Sequence, residues 1–223
     1  MTWADLQLWV SQEERRIYDC VLESLRRLIQ SKTVKSSDQE DVVSGKLRKI
    51  MYKVKKEMRL SWQMQPQATC FIDEESSKVC GHPDFRFSGS TPEYDQYEYD
   101  IECKLVRVRR KGKSHDYCNY YVVGGMQRYR DRIYAQSRPP MGMIIGYVQE
   151  GDILELYDNI DDITNKQGYH RIISRQLIQP GDVSRLSQNM QQASDLFLLH
   201  HLWVDLRVSG SVDQLSISLE ENV

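Results

Sequence analysis

Three side chains in this sequence have the types and spacing for phosphoester chemistry. Gly81-His82-Pro83-Asp84 presents an aspartate, and eighteen positions after Asp84 the run Ile101-Glu102-Cys103-Lys104 begins its Glu-x-Lys. On an extended strand, residues i and i+2 point to the same side. Glu102 and Lys104 therefore project together, while Ile101, Cys103 and Leu105 anchor the opposite face. An aspartate from a neighbouring strand would meet Glu102 and offer oxygen ligands to a hard cation such as Mg2+. Such an ion polarises a phosphate and lowers the pKa of a bound water. A lysine ammonium beside it orients that water or offsets charge developing on the phosphoryl oxygens. The bland alternative for Glu-x-Lys is a solvent-facing ion pair worth at most ~1 kcal/mol. The Pro-Asp element, the strand-like setting, the apolar backing and the basic segment that follows favour the chemical reading.

The elements that must hold these residues follow from periodicity. Tyr97 to Val108 alternates, with Tyr97, Tyr99, Ile101, Cys103 and Leu105 on one face and Glu98, Asp100, Glu102 and Lys104 on the other. That is the period of a strand with one face in a core and one on a polar cleft. Cys70-Phe71-Ile72, Lys78–Cys80 and Pro83–Phe87 read as short strand pieces, and Ser88–Asp95 as a turn rich in Gly, Pro and Ser. Upstream, Ile17, Val21, Leu25 and Leu28 predict a helix from Ser11 to about Ile29. Val43, Leu47, Ile50 and Val54 predict a second from Glu40 to about Arg59, capped from Ser37-Asp38-Gln39-Glu40. Downstream come a basic loop at Arg109–Asp116, a third helix over Asn119–Ala135 ended by Pro139-Pro140, and a strand at Met143–Val148. A further short strand at Ile153–Tyr157 and a closing strand at Leu196–Leu206 follow. This order predicts an α/β (α+β) fold with a mixed central β-sheet flanked by helices.

The 223 residues carry a formal net charge of −2, unevenly distributed. Ten basic residues stand between Lys104 and Arg138 against Asp116 and Asp131, a local excess of +8. Glu93, Asp95, Glu98, Asp100 and Glu102 form an acidic cluster just before it. A concentrated basic segment supplies phosphate contacts; a solvated helix face and loop is its bland counterpart.

At Asp84, Glu102 and Lys104 the sequence resembles the PD-(D/E)xK nuclease superfamily, whose core is the restriction-endonuclease-like fold. The resemblance extends over roughly Glu40 to Leu206, with Tyr121–Ala135 and Gly142–Val148 looking like the helix and strand after the catalytic strand. It implies that Asp84 and Glu102 hold metal, that Lys104 assists hydrolysis, and that a polar residue on the following helix orients the site, a description that Gln127 and Arg128 both fit, with Tyr134 behind them and Gln127 as the choice. It also implies an acidic metal ligand on a preceding helix, a role matched by Glu40, three and seven residues before Val43 and Leu47 on the core-facing stripe. A first-turn acid interacting with the helix dipole is the other reading of Glu40. Arg107, Arg109, Arg110, Lys111, Lys113, Arg128, Arg130 and Arg132 would grip phosphates. The implied activity is that of a Mg2+-dependent endonuclease, with Mn2+ able to substitute, acting on DNA, with RNA as the other nucleic acid to test. The implied setting is a bacterial restriction or anti-phage defence system. The alternative is a non-catalytic nucleic-acid-binding or scaffold subunit with a nuclease-like fold. The expected division is an N-terminal helical segment over 1–36, the nuclease-like domain over 37–208 and a polar tail over 209–223.

Other features bound the reading. Five cysteines without framework spacing or a close C-x-x-C pair read as reduced thiols of a cytoplasmic protein, not as a zinc site, despite His115-x-x-Cys118. His82 reads as a turn residue, and one of His200 and His201 must face the core on a strand. The longest apolar run, Met141–Val148, is too short to cross a bilayer. The first residues lack the basic-then-apolar order of a signal peptide. With no Walker A, dinucleotide-binding or HExxH motif, an energised or gated step would need an ATPase or other defence-system subunit. Apolar Trp3, Leu6, Leu8, Trp9 and Val10 hint at a homo-oligomer or such a complex.

Overall fold

The computed structural model describes residues 3–68, 70–71, 79–89, 97–111, 113–135, 142–169, 172–176, 182–192 and 195–207. The apolar residues at helical spacing near the N-terminus, Ile17, Val21, Leu25 and Leu28, are fully buried on helix α1 (Trp3–Ser31). Helix α2 (Glu40–Glu57) packs beside it and buries Val43, Leu47, Met51 and Val54. Each such side chain contributes roughly 1.5–3 kcal/mol by leaving water. The expected side-chain cap does not form. Gln39 is the N-cap residue without a side-chain hydrogen bond, while Asp38 turns back to accept from the Lys35 N–H and pair with Lys46. The apolar N-terminal stretch from Trp3 to Val10 lies outside the residues whose side chains are described.

The strands, in chain order, begin with β1 (Gln63–Pro66), then β2 (Cys70–Phe71) and β3 (Val79–Gly81), which pair only with each other. Next come β4 (Phe85–Ser88), β5 (Glu98–Arg110) and β6 (Lys113–Asp116), then β7 (Gly142–Val148), β8 (Ile172–Gln176), β9 (Val183–Gln192) and β10 (Asp195–Asp205). The main sheet runs β1-β4-β5-β7-β10-β9-β8, with β6 attached to the C-terminal half of β5. Pairings β5–β7 and β7–β10 are parallel, and the others are antiparallel. The chain is thus an α/β protein with an open, mixed central sheet and helices packed on it. Helices α1 and α2 cover one face, against Tyr99, Ile101, Cys103 and Tyr147.

The other face carries a helical arm and helix α5 (Ile153–Lys166), packed on Val106, Ile144, Leu199 and Trp203. The arm corrects the single helix expected over Asn119–Ala135. It consists of α3 (Cys118–Tyr120), a π-helical turn (Tyr121–Met126) and α4 (Gln127–Arg130). Gly124 and Gly125 favour the wider turn because glycine supports a regular helix poorly. Gly125 also lets the backbone approach the sheet, since a Cβ there would stand 2.5 Å from Ile144 Cδ1. The arm stops well before Pro139-Pro140, which lie outside the described residues. Arg132 adopts φ 57°, its N–H bonds the Tyr129 carbonyl and the Ile133 N–H returns to the Arg128 carbonyl. This is a left-handed helix closure.

Two further expectations are corrected. Ile153–Tyr157 opens helix α5 rather than forming a strand: the Asp152 carboxylate accepts the Leu154 and Glu155 N–H groups, and Ile153, Leu156, Ile160 and Thr164 form one buried stripe. The basic loop at Arg109–Asp116 is a hairpin of β5 with β6, turning through Lys111 at φ 49°. Residues 209–223 lie outside the described residues. Among those described, no helix is long and apolar enough to cross a membrane.

Candidate active site

A break in the sheet positions the acidic and basic side chains. Strand β4 meets β5 from Phe85↔Ile101 to Ser88↔Glu98, and β6 meets it from Asp116↔Arg107 onward. Between these, among the described residues, Glu102–Val106 has a strand partner only on its β7 side. The backbone N–H groups on the open side need acceptors, and carboxylates supply them. Asp84, one residue before β4, accepts the Cys103 N–H at 2.7 Å, and Glu40, at the start of α2, accepts the Leu105 N–H at 2.8 Å. Two residues distant in sequence thus replace a missing strand edge, and in doing so are drawn to the face of Glu102 and Lys104.

That face is not the open cleft that alternation suggested. Glu102 is 2% exposed and Lys104 4%, covered by the helical arm. Lys104 Nζ lies 2.6 Å from Glu102 Oε1, 3.2 Å from Glu40 Oε1 and 2.9 Å from the Cys103 carbonyl. Burial, and then the charge of Glu102, push the Asp84 carboxyl up to about 7, against the pull of Lys104 and the Cys103 N–H. Burial raises the Glu102 carboxyl too, opposed chiefly by Lys104. Burial would lower the Lys104 ammonium, but Glu102 and Glu40 outweigh it and hold its proton firmly. The result is a fixed cation beside two carboxylates that are reluctant to ionise.

The arm contributes Arg128 rather than Gln127. Arg128 Nη1 stands 4.0 Å from Glu102 Oε1 and donates to the Tyr134 hydroxyl. The Gln127 amide instead donates to Asp131 at 2.9 Å. Sequence reasoning missed a supporting pair: Arg86 grips the fully buried Asp100 through two bonds of 2.6 and 3.0 Å and also binds Glu98. Asp100 further accepts the Ala135 N–H, tying β4, β5 and the turn after the arm together. A signal was present in the alternation, because Arg86 and Asp100 both fall inside strand-like runs. His201 is the core member of its pair: its Nδ1 meets the Tyr121 hydroxyl at 2.8 Å, and burial pulls its imidazole down to about 3.

The basic residues are dispersed. Arg107 pairs with Asp116 and Glu155, Arg109 with Glu150, and Arg130 with Asp131 while its guanidinium lies 4.7 Å from the Tyr169 ring. Lys111 and Lys113 are exposed at the hairpin, and Arg132 lies at the end of the arm. The side chain of Arg110 and all of Arg138 lie outside the described residues.

Two cavities flank the open edge. One, of about 220 Å³, is lined by Asp84, Phe85, Ser44, Gly45, Arg48 and Asp41 among others. The second, of about 180 Å³, lies on the side of Leu105 and Glu40. The donor set between them suits a hard cation in kind. Among the described residues, Glu102 Oε2 is buried with no hydrogen-bond partner, an uncommon condition for a core oxygen, and a nearby cation would offset the cost of ionising Asp84. Glu40 differs, since both its oxygens are engaged. Among the described residues, no group of three or more His, Cys, Asp and Glu side chains is arranged to hold an ion. Mg2+ commonly takes one or two carboxylates and completes its shell with water and substrate phosphate, and the present pair fits that pattern.

No family model, curated protein or solved structure matches this chain. The functional reading therefore stands on the residues and their geometry.

Proposed function

We propose that this protein is a Mg2+-dependent nuclease, with Mn2+ able to substitute, that hydrolyses phosphodiester bonds in DNA. The observation that carries the reading is the gathering of Asp84, Glu102 and Lys104 along the stretch of β5 that, among the described residues, β4 and β6 leave open. Asp84 and Glu102 would hold the ion. When bound, it supplies Lewis-acid polarisation of the phosphate and a water of lowered pKa. Lys104, fixed by Glu102 and Glu40, keeps its charge at any working pH and offsets negative charge growing on the phosphoryl oxygens. Glu40 serves as a positioning residue, and Arg128 adds a second cation beside Glu102. The finer role, a nuclease component of a bacterial restriction or anti-phage system acting with a partner subunit, is the one the family resemblance implies.

A second reading, nucleic-acid binding without cleavage, is favoured by one observation: Lys104 pairs with both Glu40 and Glu102, so the cluster's charges are already partly balanced by protein groups. Cleavage assays separate the two. Purified protein is incubated with plasmid, single-stranded DNA and RNA, in Mg2+, Mn2+ or chelator. The nuclease reading expects metal-dependent cutting that disappears in Glu102→Gln and Lys104→Ala. Binding without cutting under every metal condition supports the second, and equal cutting by both variants rejects the assigned residues.

A further inference from the structure

The cavity of about 180 Å³ beside the open edge is lined by Gln39, Glu40, Asp41, Leu105, Tyr117 and Tyr120. Its composition is unlike that of a phosphate site. Glu40 and Asp41 would repel an anion, whereas two tyrosine rings and Leu105 offer flat apolar surface. Tyr120 is 49% exposed, an unusual state for a ring next to a buried ion cluster, and Lys104 Nζ lies 5.5 Å from its centroid. The ring is also backed by the arm: a Cβ on Gly124 would stand 2.7–3.0 Å from three Tyr120 ring atoms. Glycine at 124 therefore lets the ring lie against the backbone within the π-helical turn.

We infer that this cavity seats a nucleobase of a single-stranded substrate, stacked on Tyr120 beside Tyr117, with the adjoining phosphate at Lys104. The inference rests on the nuclease reading for that phosphate but not for the base. A planar base gains from aromatic stacking whatever its sequence. The exocyclic amines of cytosine and adenine are donors, for which Asp41 and Gln39 on the cavity wall offer acceptors. In a duplex each base is already stacked and paired, so only an unpaired or extruded base can enter. The preferred substrate class is therefore single-stranded nucleic acid, or a frayed or unwound end.

The test is equilibrium binding in chelator, so that no cutting intervenes. The probes are a short oligo-deoxycytidine, its ribose counterpart, an abasic strand of equal length, and the deoxycytidine strand paired with its complement. The expected result is tighter binding of either intact single strand than of the abasic strand or the duplex. The two sugar forms then report which nucleic acid is preferred. Tyr120→Ala should weaken the intact strand by about 5- to 150-fold, the range of one base–aromatic stack, and leave the abasic strand unchanged. Tyr120→Phe should retain binding. Gly124→Ala, which displaces the ring without removing it, should fall between. Equal affinity for intact and abasic strands, or no effect of Tyr120→Ala, overturns the base site. Cleavage that persists in such a case leaves the nuclease reading standing. Base-dependent binding in a protein that never cuts supports the base site and rejects the nuclease.

Discussion

Replacing Asp84 with asparagine should make the metal-free protein more stable at alkaline pH, although it removes a charged hydrogen-bond partner. Burial and Glu102 raise the Asp84 carboxyl from its ordinary 3.8 to about 7. The unfolded chain gives up that proton near 3.8 and the folded one near 7. Across this window the folded state binds more protons, so stability falls as pH rises. The penalty is absent below pH 3.8 and complete above 7, and at ~1.36 kcal/mol per pH unit it reaches about 4 kcal/mol. Asparagine keeps an acceptor for the Cys103 N–H and loses the ~1 kcal/mol by which charge strengthens such a bond. Urea unfolding in chelator at pH 5.5 and 8.5 measures the difference between the two proteins, so other titrating groups largely cancel. The gap in favour of Asp84→Asn should widen by about 2 kcal/mol, the share that accrues from 5.5 to 7. A gap that is constant or narrows with pH would refute the claim that Asp84 is held near neutrality.

Three other changes probe the frame. Gly45, inside α2 with open space where a Cβ would stand, should accept alanine with a gain of about 0.5–1 kcal/mol, seen as a raised melting temperature; a loss would mean that the cavity wall cannot take a methyl group. Arg86→Met strands the buried Asp100 and should cost about 3–5 kcal/mol in urea unfolding, while Arg109→Met, at an exposed pair, should cost under about 1 kcal/mol. His201 is neutral in the fold, with its imidazole down at about 3 against 6.5 unfolded. Stability from this group is therefore lost as pH falls from 6.5 toward 3, and His201→Gln should flatten the acid limb of the stability profile.

Much of the architecture was legible because periodic burial writes itself into sequence. The stripes of α1 and α2 and the alternation of β5 each bury an apolar set that can be read without knowing its neighbours. What failed depended on neighbours. Strand β9 has no apolar run; Val183, Ser184, Leu186 and Gln188 are buried because the sheet carries α1 on one face and the helical arm on the other. The five residues at Ile153–Tyr157 fit either element, and the deciding signals were the Asp152 cap and the continuation to Ile160 and Thr164. The local charge excess overstated the free basic surface, since Glu150 and Glu155 arrive from beyond the counted segment.

The candidate site divides the same way. Glu102 and Lys104 share a face, as strand geometry requires, and Asp84 accepts the N–H of Cys103 between them. The open edge of β5 was invisible, because it is defined by where β4 stops and β6 starts. Its unpaired N–H groups explain why Glu40 comes to the cluster with both oxygens engaged. Of the two arm residues that the sequence offered, Arg128 faces Glu102 and Gln127 turns to Asp131, a choice that the π-helical turn sets and periodicity alone does not.

Manganese binding tests the central claim most directly. Mn2+ titrated into protein, with and without a short single-stranded oligonucleotide, is followed by the loss of its free electron-spin-resonance signal. Saturable binding by the wild type and by Gln127→Ala, lost in Glu102→Gln and Asp84→Asn, is the expected result. Mn2+ that stays free under both conditions, or that binds Glu102→Gln as well as the wild type, would contradict an ion shared by these two carboxylates.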